Sequence, residues 1–89
     1  MLKAVYTSRF EKDLKLARKR RKNLNKLKTI ILALLNQENL PAKYRDHQLI
    51  GVYNNRREYH VESDWLLIYK PEDNIIIFER TGTHSDLFK

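Results

Sequence analysis

Residues 57–69 constrain this chain more than any other stretch. They run as an alternating segment, Arg57-Glu58-Tyr59-His60-Val61, a polar corner, Glu62-Ser63-Asp64, and a nearly continuous apolar segment, Trp65-Leu66-Leu67-Ile68-Tyr69. Strand side chains alternate with period two, so Tyr59 and Val61 share one face while Glu58 and His60 share the other. The corner interrupts the apolar pattern with turn residues. The stretch is therefore expected to form a β-hairpin. It places an imidazole (His60), a carboxylate (Asp64) and an indole (Trp65) around one turn.

The rest of the chain supplies what such a hairpin needs. Residues 2–7 alternate and are expected to form a first strand. Ser8-Arg9-Phe10-Glu11 has the spacing of a capping box, so a helix is expected over residues 9–20, with Phe10, Leu14 and Ala17 on one face. Leu24, Leu27, Ile31, Leu34 and Leu35 mark a second helix over residues 24–36, closed by Asn39-Leu40-Pro41. A short basic corner joins the two into an αα-hairpin. Residues 42–48 read as a loop, and 49–53 as a short strand with Gly51 as a bend. Asn54-Asn55 and Pro71-Glu72-Asp73-Asn74 read as turns. Residues 75–80, rich in β-branched side chains, read as the last strand, and the tail folds back at Gly82. The fold class is thus α+β, in the order β-α-α-β-β-β-β, with a helical hairpin packed on one face of an antiparallel sheet.

At 89 residues a single domain over residues 1–89 is expected. An apolar fraction of 42% suits a globular domain and argues against disorder. The longest apolar run, residues 30–35, is far below what crosses a bilayer, and residues 1–6 do not make a signal peptide, so no membrane partner and a cytoplasmic location are expected. The absence of cysteine removes disulfides, thiolate nucleophiles and cysteine-type zinc sites. Net charge is +7. A small basic protein of this kind meets polyanions, nucleic acid first among them, ahead of acidic proteins and anionic membranes. Ten of the 18 Lys and Arg fall between Arg9 and Lys28. A solvated helix face is the plainer explanation of that density, and a phosphate-gripping surface the sharper one. Lys15, Arg18, Lys19, Arg20, Arg21 and Lys22 are the candidates for that surface.

Three histidines, His47, His60 and His84, follow the second helix in polar joints at strand ends. Singly, each is an ordinary surface or edge residue, Asp64 is an ordinary turn residue, and Trp65 is ordinary core. Together they can converge on one rim, with Arg80 at the end of its strand. That set fits cleavage of RNA. The 2′-hydroxyl loses a proton, the 5′-oxygen gains one, and the phosphorane between them carries extra negative charge. Imidazoles serve the proton transfers and a guanidinium the charge. No metal is needed, because the nucleophile belongs to the substrate. A zinc site of three histidines and Asp64 is the competing reading, but no H-x-x-x-H spacing supports it.

Three motifs carry a family resemblance: Asp46-His47-x-Leu49-x-Gly51; Arg57-Glu58-x-His60-Val61-x-x-Asp64-Trp65-Leu66-Leu67-Ile68-Tyr69; and Arg80-x-Gly82-x-His84-Ser85-x-Leu87-Phe88. The chain resembles the YafQ branch of the RelE/ParE toxin superfamily over nearly its whole length. The resemblance implies a ribosome-dependent mRNA endonuclease without metal or cofactor. Such a protein is the toxin of a type II toxin–antitoxin pair, blocked by a DinJ-like antitoxin. It implies that His47, His60, Asp64 and His84 form the acid–base group; the division into acid and base stays open, with His84 the first candidate for the acid and His47 or His60, assisted by Asp64, for the base. It implies that Arg80 stabilises charge and that Phe88 positions substrate. Ser63 stands where the family often has proline, and Tyr53 where it often has tryptophan. Trp65, Tyr53 and Phe88 are candidates to stack a splayed base, with Arg57 beside them. Two other readings share this fold: a ParE-like toxin that inhibits DNA gyrase, and a non-catalytic RNA-binding module.

Overall fold

The computed structural model describes residues 1–38 and 55–88, and the backbone of a two-residue strand at 47–48. The elements run β1 (Lys3–Tyr6), α1 (Ser8–Lys19), α2 (Leu24–Leu35), β2 (His47–Gln48), β3 (Arg57–Glu62), β4 (Trp65–Pro71), β5 (Ile75–Gly82) and α3 (His84–Leu87). The strands form one sheet in the order β1-β5-β4-β3-β2. The β3–β4 and β4–β5 pairs are antiparallel hairpins, and β2 adds antiparallel to β3. At the other edge β1 runs parallel to β5, from Lys3 opposite Ile75 to Tyr6 opposite Phe78. A parallel pair needs a long connection, and the helices lie within the one between β1 and β5. The expected strand over residues 49–53 and the signals at Asp46, Tyr53 and Asn54 lie outside the described residues. His47 and Gln48, expected in a loop, pair with Glu58 and Arg57.

α1 begins one residue earlier than the capping box suggested. Thr7, not Ser8, is the N-cap: its hydroxyl accepts from the amide of Phe10 at 3.0 Å and donates to the carbonyl of Glu79 at 2.9 Å. The bond to β5 decides the matter, because it holds Thr7 as the last extended residue before the helix. Both helices end on a residue in the left-handed region, Arg21 (φ 58°) and Gln37 (φ 57°). In each case two backbone bonds close the last turn: Lys22 to Ala17 and Arg21 to Arg18, then Glu38 to Ala33 and Gln37 to Leu34. These are Schellman closures made without glycine.

The helix-covered face of the sheet holds the core. Tyr59, Val61, Trp65, Leu67, Tyr69, Ile76 and Phe78 pack there against Phe10, Ala17, Leu27, Ile30, Ile31 and Leu35. The opposite face carries Leu66 and Ile68, which Leu87 of α3 covers. Two bulges shift the register. In β3, His60 faces Leu66 but Glu62 faces Trp65, so Val61 has no partner on β4. In β5, Phe78 faces Tyr69 and Arg80 faces Ile68, which leaves Glu79 as the extra residue. A bulge re-aims the chain beyond it. The first one turns Glu62 toward α2, where its carboxylate lies 3.7 Å from the Lys22 ammonium and 3.9 Å from that of Lys26.

The tail does not simply fold back. Residues 84–87 form one helical turn, capped by Thr83, whose hydroxyl accepts from the amide of Asp86 while the Asp86 carboxylate accepts from the amide of Thr83.

Candidate active site

Three pieces of chain build the site. β3 presents His60 on the face away from the helical hairpin, the turn at residues 63–64 presents Asp64, and α3 presents His84 and then Phe88 just beyond it. The strand order brings β3 and the end of β5 to either side of β4, with His60 opposite Leu66 and Leu66 opposite Gly82. α3 follows Gly82 after the single capping residue Thr83, so its first residue arrives near the end of β3.

The rings of His60 and His84 lie 6.0 Å apart, centroid to centroid, and that of Phe88 lies 6.3 Å from His84. One oxygen of Asp64 accepts two hydrogen bonds from His84, from its amide at 2.9 Å and its Nδ1 at 2.7 Å. Asp64 is held below the usual carboxylate range, first by the amide of His84, then by its ring, with the charge of Lys22 adding slightly and desolvation opposing. An ionised Asp64 only accepts, so Nδ1 carries a proton and Nε2 is the atom left to exchange one. Asp64, expected to assist the base, thus bonds the ring expected to be the acid. Both side chains are open to solvent, His84 at 52% and Asp64 at 64%. His60 is more enclosed, with its Nε2 3.6 Å from a carboxylate oxygen of Glu58. Glu58 is buried on this face and was passed over as a site residue, although period two already placed it beside His60.

Other candidates go elsewhere. Trp65 cannot stack a base: it is 1% exposed, packed in the core, and its Nε1 donates to the Thr81 hydroxyl at 2.9 Å. An indole next to a polar turn satisfies its one donor internally when a hydroxyl on the adjacent strand is in reach. Arg57 stands opposite Tyr69 on the helix-covered side, out of phase with His60. Phe88 is 44% exposed, with its ring beside that of His84. Arg80 faces Ile68 in register, but its fork donates to Asp13 of α1, Nε at 2.7 Å and Nη2 at 3.2 Å, and is largely buried there. His47 lies on β2, its backbone paired with Glu58. Among the described residues, no group of three or more His, Asp or Glu side chains is arranged to hold a metal ion.

The basic corner divides. Lys15, Arg18, Lys19 and Arg21 are exposed. Arg20 is engaged with Asp86 at 2.7 Å, and Lys22 sits between Glu62 and the Trp65 ring, 5.8 Å above its centroid.

The family described as the bacterial toxin of a type II toxin–antitoxin system, YafQ, matches residues 2–89. The chain is 51% identical over 84 residues to the mRNA interferase toxin YafQ of Escherichia coli (strain K12), across 93% of this chain and 91% of that protein. Its fold matches the toxin in the E. coli DinJ–YafQ complex with a TM-score of 0.91 at 48% identity, over 100% of both chains. A metal-bound toxin from Helicobacter pylori matches with a TM-score of 0.91 at 36% identity, over 99% of this chain and 100% of that one.

Proposed function

This chain belongs to the YafQ family of type II toxin–antitoxin toxins, and from that premise we propose that it is an mRNA interferase, a ribosome-dependent endoribonuclease needing no metal. The observation that carries the reading is the pairing of two imidazoles 6.0 Å apart, one of them oriented by an ionised carboxylate. A message phosphate between the rings meets a group to take a proton and a group to give one. His60 or His47 removes the 2′-hydroxyl proton. The 2′-oxygen attacks phosphorus and forms a 2′,3′-cyclic phosphate. The 5′-oxygen leaves with a proton from Nε2 of His84, whose ring Asp64 holds in place. Phe88 stacks a base beside the cut; Arg80, expected to offset the charge that develops on phosphate, is held by Asp13 and would have to leave that carboxylate to do so. Lys15, Arg18, Lys19 and Arg21 grip ribosomal RNA through its phosphates.

A DinJ-like antitoxin is the proposed protein partner, by analogy with the complex formed by the E. coli relative. The chain acts as one domain in the cytoplasm. Among the described residues no helix is long and apolar enough to cross a membrane. The gyrase-inhibitor reading leaves the oriented imidazole without a task.

The test is cleavage of message on programmed ribosomes with a single 2′-deoxy nucleotide at the scissile position. The cut disappears if the nucleophile is the 2′-hydroxyl and persists if it is not. Chelating metal from the toxin before mixing should leave the cut intact. Its loss, restored by one added metal, would favour a metal-dependent cut instead.

A further inference from the structure

We propose that Arg20 is a positioning residue for His84, acting through Asp86; this rests on the reading of His84 as a proton-transfer group. Arg20 closes α1, and its guanidinium meets Asp86 with two donors, Nη1 to Oδ2 at 2.7 Å and Nη2 to Oδ1 at 3.3 Å. The same carboxylate accepts the Thr83 amide at 2.9 Å and so caps α3. His84 is the first residue of α3, so the cap fixes the point from which the ring extends.

α3 has only four residues, too few to hold a helical turn by itself. Leu87, packed on Leu66 and Ile68, ties down its far end. Arg20 ties down its start. Asp86 lies so close beneath the end of β5 that a Cβ on Gly82 would stand 2.9 Å from its Oδ2, so any side chain there would have to displace the carboxylate. The Arg20 hydrogen bond, ahead of the Thr83 amide, holds the Asp86 carboxyl far below the usual range, so it stays ionised as a fixed acceptor.

The ion pair is partly open to water, with side-chain exposures of 41% and 24%. Pairs of that kind contribute little to stability. A two-point guanidinium contact instead fixes direction, which a single ammonium does less well. Displacing a reacting group by an ångström can cost about a hundredfold in rate. The density of charge at residues 18–22 suggested a phosphate contact for Arg20, but its guanidinium is committed to orienting the helix that bears His84.

The experiment compares Arg20→Ala, Arg20→Lys, Asp86→Asn and the Arg20→Ala/Asp86→Asn double variant with His84→Gln in single-turnover cleavage on programmed ribosomes. The expected result is about a tenfold loss in the saturated rate for R20A, with half-saturation by ribosomes changed less than twofold. R20K should recover part of the rate, and the double variant should be no slower than the slower single one, because both remove one contact. A wild-type saturated rate in R20A with weaker half-saturation would make Arg20 a ribosome contact only and overturn the inference. If R20A fails to fold, R20K decides: a reduced rate at unchanged half-saturation supports the inference, and a wild-type rate overturns it. Wild-type cleavage by H84Q would overturn the reading of His84 as well; an inactive H84Q beside a fully active R20A overturns the inference alone.

Discussion

Asp64 and His84, twenty residues apart in sequence, meet through one oxygen that accepts both the amide and the ring of the histidine. The turn of one hairpin therefore fixes where α3 begins and which way its first side chain points. Neither bond alone would do both. Asp64→Asn keeps the shape but can turn its amide nitrogen toward the donors. The saturated cleavage rate should fall about a hundredfold, within the range for a disturbed proton-transfer group. Thermal unfolding should move little, because both partners are exposed. Measuring rate and unfolding on the same samples checks the claim.

Trp65→Phe separates core from substrate contact. It deletes the Nε1 bond to Thr81 and leaves a small void, and should cost about 1–3 kcal/mol in denaturant unfolding. Half-saturation by ribosomes should stay the same. A weaker complex at unchanged stability would restore the indole to the substrate surface.

Acid should unfold the protein partly through Asp86. Its folded carboxyl titrates below its unfolded value, so its stabilisation is complete above the ordinary aspartate range, near about 4, and is lost as pH falls through that value toward the folded one. Asp86→Asn should flatten this part of the stability–pH curve and leave the curve above about pH 5 parallel to wild type. Urea titrations at several pH values below neutrality give the comparison.

The exposed cations should act on encounter and not on chemistry. Replacing Lys15, Arg18, Lys19 and Arg21 together with alanine should raise half-saturation by at least about tenfold and lessen its salt dependence, with the saturated rate unchanged. A drop in the saturated rate would place one of them in the chemistry.

Gln37 ends α2 in the left-handed region, where a side chain costs about 1 kcal/mol. Gln37→Gly should therefore raise stability by about 0.5–1 kcal/mol and the melting temperature by a few degrees. An unchanged or lower melting temperature would mean that the glutamine makes up its cost in another way.

What was legible in the sequence was what short-range periodicity encodes. Tyr59 and Val61 against Glu58 and His60 marked β3, and Leu24, Leu27 and Ile31 marked α2, because each spacing matches one backbone repeat. The N-cap was misplaced because Thr7 and Ser8 are equivalent locally, and only the carbonyl of Glu79 chooses between them. α3 left no trace, since four residues carry no period. Trp65 looked available because a turn sits beside it, while the hydroxyl that holds it lies on another strand. Arg20 and Asp86 are 66 positions apart, a distance over which one sequence offers no signal. The histidines were visible as residues, but the handing of Asp64 to His84 was decided by where β5 ends.

Glu79, which has no register partner on β4, makes β5 one residue longer than the stretch of β4 it lines. A chain lacking it could zip the two strands together without a gap, with Arg80, Thr81 and Gly82 keeping Ile68, Leu67 and Leu66 as partners. What it would lose is the local bend of the bulge just before α3, and the carboxylate that accepts from Arg56. The bulge thus sets the bend, and not the facing, of the strand end that delivers α3, so a deletion there would shift the toxin's working end without inverting it.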